Sequence, residues 1–314
     1  MTDKLKAPFT WFGGKSTVAD IIWSRLGNVP NYVEPFAGSL AVLLLRPHEP
    51  GIETVNDIDC YLANFWRATS IDPEQVASWA DWPVNENDKH ARHVWLLGQS
   101  DFRQKMNSDP DYYDAKIAGW WVWGQSLWIG SGWCESKNYY NSGDTPSRPH
   151  YQIPRLGDSG AGVHRSSIQN LTDYFLSLRK RLRRVRVTCG DWSRVMGKSV
   201  TYNNFGLTGV LLDPPYDQKS RDVVYANESN CANDVRDWAL ENGDNPLLRI
   251  VLCGYDTEHA TLADAGWTMY RWETQGGYGK ISQSGRGREN AKRETIWFSP
   301  HCLPDGSAEQ LSLI

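Results

Sequence analysis

Asp213-Pro214-Pro215-Tyr216 follows directly on the apolar run Gly209-Val210-Leu211-Leu212. A buried strand that ends in Asp-Pro-Pro sets its carboxylate at the carboxyl edge of a sheet, where open α/β folds bind ligands. The prolines have no N–H to donate and stiffen the turn, so the Asp213 side chain and nearby backbone carbonyls face outward as acceptors. Acceptors held in that way suit one task, the holding of an aromatic amino group. Adenine N6 is a weak nucleophile because its lone pair is delocalised into the ring. Two acceptors on its hydrogens draw the nitrogen toward tetrahedral geometry and free that pair. Tyr216 supplies a flat face on which such a base can stack.

Three further segments place acids at strand ends. In Tyr32-Val33-Glu34-Pro35-Phe36-Ala37-Gly38-Ser39, a short strand runs into a turn of small residues that lets a ligand approach the backbone closely. Its Glu34 suits a cationic group rather than a phosphate, and the Gly-x-Gly-x-x-Gly of a dinucleotide site is missing. Asn56-Asp57-Ile58-Asp59 closes the next strand, where an acid commonly accepts from ribose hydroxyls. Cys189-Gly190-Asp191-Trp192 closes another, and its carboxylate can receive an adenine amino group. Each of these acids also suits a plain helix cap. Near the amino terminus, Gly14-Lys15-Ser16 imitates the end of a phosphate-binding loop, but Phe9 stands where that loop needs glycine and no Val/Ile-rich strand precedes it.

These segments need a scaffold of alternating strands and helices. Residues 31–36, 53–58, 185–191, 209–213 and 249–254 read as strands, with a helix between the first two. Residues 15–26, 61–69, 167–183 and 230–242 read as helices, the last two starting near Ser or Asn caps. Such alternation implies a mainly parallel sheet covered on both faces. Residues 70–164 differ, being rich in Trp, Asp, Asn and Ser, with Trp120, Trp121, Trp123, Trp128 and Trp133 close together. They read as a helical lobe inserted into the α/β domain, with the tryptophans as its core and residues 143–154 as a loop or loose hairpin.

The six cysteines are scattered without a Cys-x-x-Cys pair, and His90 and His93 have no third ligand in view, so no zinc site, metal centre or disulfide framework is expected. There is no long apolar run and no signal-peptide core before Phe9, so a cytosolic protein without a membrane span is expected. The net charge of -4 does not announce a nucleic-acid partner. The distribution says more: residues 179–186 (RKRLRRVR) read as a solvated helix face, whereas Lys280, Arg286, Arg288 and Lys292 in a glycine-rich stretch suit DNA phosphates.

Taken in order, these segments resemble the Dam-type, DPPY-bearing family of adenine-N6-specific DNA methyltransferases. The match runs through Trp11 to Lys15 (W-x-G-G-K), Glu34 to Gly38 (E-P-F-x-G), Asp57 to Asp59 (D-I-D), the inserted lobe, and Asp213 to Tyr216 (D-P-P-Y). The resemblance implies an α/β fold: a Rossmann-like S-adenosylmethionine-dependent methyltransferase sheet with an inserted, mainly helical target-recognition lobe. Residues 1–69 and 165–314 would form the catalytic domain and 70–164 the lobe. Trp11, Lys15, Glu34, Pro35, Phe36, Gly38, Asp57 and Asp191 would bind S-adenosylmethionine, with Asp57 on the ribose and Asp191 on the cofactor's adenine. Asp213, Pro214, Pro215 and Tyr216 would receive an adenine flipped out of double-stranded DNA. Lys280, Arg286 and Arg288 would contact the DNA, within a closing hairpin whose strand is 294–299. The implied setting is the cytoplasm of a bacterial or phage-infected cell, as in restriction-modification.

Two features depart from the family pattern. Ser39 and Leu40 stand where a second glycine is common, which predicts a tighter or differently shaped turn, and the lobe lacks the R-x-N-x-x-G-x-F-N pattern of members that read GATC. Cytosine-N4 methylation, an RNA substrate, and a catalytically silent DNA-binding protein remain the alternatives.

Overall fold

The computed structural model describes residues 5–11, 13–128, 133–134, 153–156, 159–215, 231–272 and 294–305. Tyr216, Lys280, Arg286 and Arg288 lie outside the described residues, as do nearly all of 143–154 and the hairpin segment before residue 294.

Seven strands make one sheet: β1 (Asn31–Glu34), β2 (Ile52–Asp57), β3 (Val185–Cys189), β4 (Thr208–Leu212), β5 (Leu248–Tyr255), β6 (Thr268–Arg271) and β7 (Glu294–Phe298). Their order is β3-β2-β1-β4-β5-β7-β6. The β1–β5 pairings are parallel, and β7 runs antiparallel between β5 and β6. This is a Rossmann-like sheet, as expected. Its central strands are buried on both faces, so they read as continuous Val/Leu/Ile runs rather than as alternation. Tyr32, Leu211, Val251 and Cys253 join one hydrophobic cluster, while Val33, Val210, Leu212 and Leu252 join another across the sheet. Helix α1 (Ala19–Leu26) packs into the first cluster through Ile22, Trp23 and Leu26. Helix α9 (Cys231–Asn242) lends Val235 and Ala239 to the second.

Strand order reverses at β1, whose neighbours are β2 on one side and β4 on the other. The crevice at the carboxyl ends of β1 and β4 is the ligand site of such a sheet. Glu34 is the last residue of β1, and Asp213 follows the last residue of β4.

Residues 15–18, expected as the first turn of a helix, are not helical: α1 begins at Ala19, and its N-cap Val18 makes no side-chain cap bond. Lys15 is engaged across the crevice instead, within a chain of turns in which Gly14 N–H donates to Trp11 O and Val18 N–H to Lys15 O. The short helix expected between the first two strands is α2 (Ala41–Leu44). Helix α3 (Cys60–Ile71) starts on the Asp59 cap, which accepts from Tyr61 N–H at 2.8 Å.

The insert is helical, as expected: α4 (Pro73–Ala80), α5 (Glu86–Leu97), α6 (Phe102–Ser108) and α7 (Ala115–Gln125). Asp72, Asn85 and Asp114 cap α4, α5 and α7. Trp121, Trp123 and Trp133 are buried, and Trp120 and Trp128 are half-buried. Trp121 does not build a core private to the insert. It joins Phe9, Phe65, Trp66 and Phe175 in the cluster that also covers the sheet, Phe175 coming from α8 (Leu171–Leu182). The Arg92 guanidinium lies 4.1 Å from the Trp123 ring centroid, and His93 stacks on Trp133 at 5.0 Å. His93 is therefore an aromatic packing partner. Among the described residues no group of His, Cys, Asp and Glu is arranged to hold a metal ion, and no helix is long and apolar enough to cross a membrane.

One member of the basic run 179–186 turns inward. Arg181 forks onto Glu53 with N–O distances of 2.7 and 2.9 Å, and Arg46 reaches the same carboxylate at 3.2 Å. Arg179, Lys180, Arg183, Arg184 and Arg186 are exposed, as a solvated face requires. Removing one partner of a buried ionic group strands the others. Glu53→Gln should therefore lower unfolding free energy by about 3 kcal/mol, read by denaturant titration.

Candidate active site

The crevice is bounded by the ends of β1, β2, β3, β4 and β5 and covered by the amino-terminal segment. Lys15 is buried, 3% exposed, and its Nζ lies 2.9 Å from both Asp213 Oδ1 and Oδ2 and 2.6 Å from Gly13 O. Burial alone lowers the pKa of that ammonium. The Asp213 carboxylate outweighs burial, helped by Cys253 and Glu294, and holds Lys15 above the ordinary lysine value. Lys15 thus stays charged and pins the carboxylate at the edge of β4. Pro214 is buried behind Asp213, and Pro215 is half-buried.

Glu34 is also buried, and among the described residues it has no ion pair. Its Oε2 accepts from the Tyr32 hydroxyl at 2.9 Å, two residues back on the same face of β1. Burial pushes the Glu34 carboxyl up to about 8; the Tyr32 hydroxyl pulls it down, and Asp213, Glu53 and Asp57 push it further up. Tyr32 drew no attention in the sequence beyond its place in the motif.

Past Glu34 the chain turns through Gly38 (φ +46°) and Leu40 (φ +57°). A Cβ on Gly38 would fall 2.5 Å from Trp11 Cδ1, so the indole of Trp11 rests on the turn where only hydrogen fits. Leu40 stands at one of the two positions where a second glycine is common. Leu40 itself takes the left-handed conformation, at a cost of about 1 kcal/mol, and is fully buried.

Asp57 does two jobs at the end of β2. Its Oδ2 accepts from Gly38 N–H and its Oδ1 from Asp59 N–H, each at 3.0 Å, so the carboxylate clamps the glycine turn. Burial raises its pKa, and the N–H groups of Asp59, Gly38 and Ile58 oppose the rise. Asp59, also in the motif, is spent on capping α3, and burial followed by the Asp57 charge pushes it up to about 6. Asp191 is exposed and accepts from Ser193 N–H at 3.0 Å. It lies beside Asp57 because Gly190 N–H donates to Asp57 O at 3.0 Å. Phe36 and Trp192, both half-buried, lie nearly parallel with centroids 6.0 Å apart.

One amide, inconspicuous in the sequence beside Asp57, ties these loops together. Asn56 is 1% exposed, and its Nδ2 donates to Pro35 O at 3.1 Å and to Gly190 O at 2.9 Å. Its Oδ1 accepts from Thr188 Oγ1 at 2.9 Å. Three strand ends therefore meet on one amide. The structure brings Trp11, Lys15, Glu34, Pro35, Phe36, Gly38, Asp57 and Asp213 to one rim, with Asp191 at its exposed end.

A sequence model of the D12 class N6 adenine-specific DNA methyltransferases matches residues 11–140. That span holds Lys15, Glu34 and Asp57 and stops before Asp213. The Type II methyltransferase M.MjaIII of Methanocaldococcus jannaschii is 24% identical over 225 residues, which is 68% of this chain and 70% of that protein. The acid-tipped strand ends, their order along the sheet and these likenesses agree: the chain is similar to the D12 class of N6 adenine-specific DNA methyltransferases, S-adenosylmethionine-dependent enzymes that act on DNA.

Proposed function

We propose that the crevice transfers the methyl group of S-adenosylmethionine to N6 of an adenine flipped out of double-stranded DNA, with Asp213 as acceptor for the amino group. The observation that carries this reading is the fixed carboxylate of Asp213 at the strand-order reversal, near a second buried carboxyl, Glu34, that has no cation of its own. Glu34 also tests the fit of the cofactor. A carboxyl buried without a counter-charge suits a ligand that brings a positive charge, and S-adenosylmethionine carries a sulfonium and an ammonium. When bound, that group supplies an activated methyl and a good thioether leaving group.

The protein's own residues supply position and electrostatics. Glu34 faces the cationic end, while Asp57 and the Gly38 turn it clamps face the ribose. Asp191 takes the cofactor's adenine amino group, beside the Phe36–Trp192 pair. Asp213 and the carbonyl of Pro214 accept the two N6 hydrogens, turning the nitrogen lone pair toward the methyl, and Tyr216 stacks on the base. Asp213 need not be a strong base, because N6 becomes acidic only after the methyl has arrived. Its proton then passes to solvent, and no covalent protein intermediate is required. The helical insert is read as the target-recognition lobe, and Lys280, Arg286 and Arg288 as phosphate contacts. These assignments place the protein's work in the cytoplasm of a bacterial or phage-infected cell.

Asp213→Ala should reduce methyl transfer by at least ~10²-fold, measured with tritiated cofactor on adenine-containing duplexes. S-adenosylmethionine binding by calorimetry should largely survive. Normal turnover in that variant would overturn the assignment.

Glu34 yields a second test, with a definite sign. Its folded pKa of about 8 lies above the ordinary 4.5, so the stability that the neutral carboxyl contributes is complete below 4.5 and lost as pH rises through about 8. The Tm of the ligand-free protein should therefore fall relative to that of Glu34→Gln between pH 5 and pH 8. Cofactor affinity should rise over the same interval in wild type and stay flat in Glu34→Gln, because the ionised carboxylate is the form that meets a cation.

A further inference from the structure

Glu294 opens β7, and because β7 is antiparallel its first residue sits at the edge where β4 and β5 end. Its register partner is Tyr255, two residues beyond Cys253 on the same face of β5. The Glu294 side chain makes no hydrogen bond or ion pair among the described residues, and its Oε2 is a fully buried orphan. The two charges that act on it are Lys15 and Asp213, the ion pair at the catalytic edge. Cys253 lies within reach of the same three groups and of Glu34. Arg271, on the neighbouring β6, is turned away to Asp256 at 3.6 Å. A buried carboxyl oxygen without a partner, beside a lysine already shared with another carboxylate, is an acceptor held in reserve.

We infer that Glu294 is the alternate acceptor for the Lys15 ammonium, taking up that charge when Asp213 turns to the amino group of the target base. Asp213 cannot give its full acceptor strength to N6 while both its oxygens lie 2.9 Å from Lys15 Nζ. Withdrawing from a buried ammonium would strand it unless another carboxylate stood ready. Glu294 acts through Lys15 and is a positioning residue. The inference rests on the reading of Asp213 as the N6 acceptor.

The acceptor must be ionised to take the lysine. Burial pushes the Glu294 carboxyl up, Lys15 pulls it down, and Asp213 pushes it up. The turnover number of wild type should therefore carry a limb that rises with pH as Glu294 ionises. In Glu294→Gln, kcat should fall by about 10-fold or more, with that limb flattened. KM for S-adenosylmethionine and Tm should stay close to wild type, and Glu294→Asp should recover part of the limb. An unchanged kcat and pH profile in Glu294→Gln would overturn the inference. So would a raised KM with kcat intact, which would make Glu294 a cofactor contact, or a kcat loss that follows Tm in both variants with the limb retained. Asp213→Asn measured alongside separates the two claims. Turnover retained there refutes the reading of Asp213, whereas turnover lost there, with Glu294→Gln unaffected, refutes only the role of Glu294.

Discussion

The buried contact between Lys15 and Asp213 is the constraint from which the rest of the crevice follows. Taking an ammonium and a carboxylate out of water costs about as much as their attraction returns, so such a pair is weak evidence for stability and strong evidence for placement. Here it fastens the amino-terminal segment over the carboxyl end of β4. Once Lys15 is fixed, Trp11 lies on Gly38, its indole extends to Trp121 of the helical insert, and Phe9 is enclosed between Phe65 and Trp121. A single ionic contact thus aligns the carboxyl end of β4, the glycine turn and the aromatic core.

Around that contact the charges are uneven. Lys15 is bonded to Asp213 and also feels Glu294, while Glu34 feels the Asp213, Glu53 and Asp57 carboxylates. A ligand-free site with surplus buried acid is strained electrostatically, and its carboxyls respond by rising in pKa. A cofactor carrying positive charge removes that strain. At the far side of the sheet core, the Arg46–Glu53–Arg181 group solves the opposite problem, with two cations enclosing one carboxylate and no ligand required.

Much of this was legible in the sequence, for identifiable reasons. Asp213 ends an apolar run, and Glu34 and Asp57 end short strands, so each acid stands at the carboxyl edge of a parallel sheet, where ligands bind. The strands themselves were found to within a few residues, except β6. Thr268–Arg271 is exposed along its whole length, so it shows neither the continuous apolar run of a buried strand nor a clean alternation. What escaped were properties of pairs distant in the chain. The Lys15–Asp213 bond shortens α1 at its start, although the local sequence favours helix there. Arg181 sits in a run that looks like surface until Glu53 is placed opposite it. Glu294 opens a strand rather than closing one, so a search of the carboxyl ends of strands passes it by. The tryptophans were rightly read as core, but only the contacts with Phe65 and Phe175 reveal that the insert and the sheet share it.

The bonds of Asn56 have a thermodynamic consequence. Its two donor positions are committed to the loops after β1 and β3 and its acceptor to Thr188 of β3, while its own backbone carbonyl receives Ala37 N–H at 2.9 Å. Loops held in this way have lost their conformational freedom before any ligand arrives. Ordering flexible groups at a binding surface subtracts from affinity in proportion to the motion arrested. The side of the crevice formed by these loops incurs that entropy loss during folding, so association there is preorganised and its heat signature should owe little to loop closure.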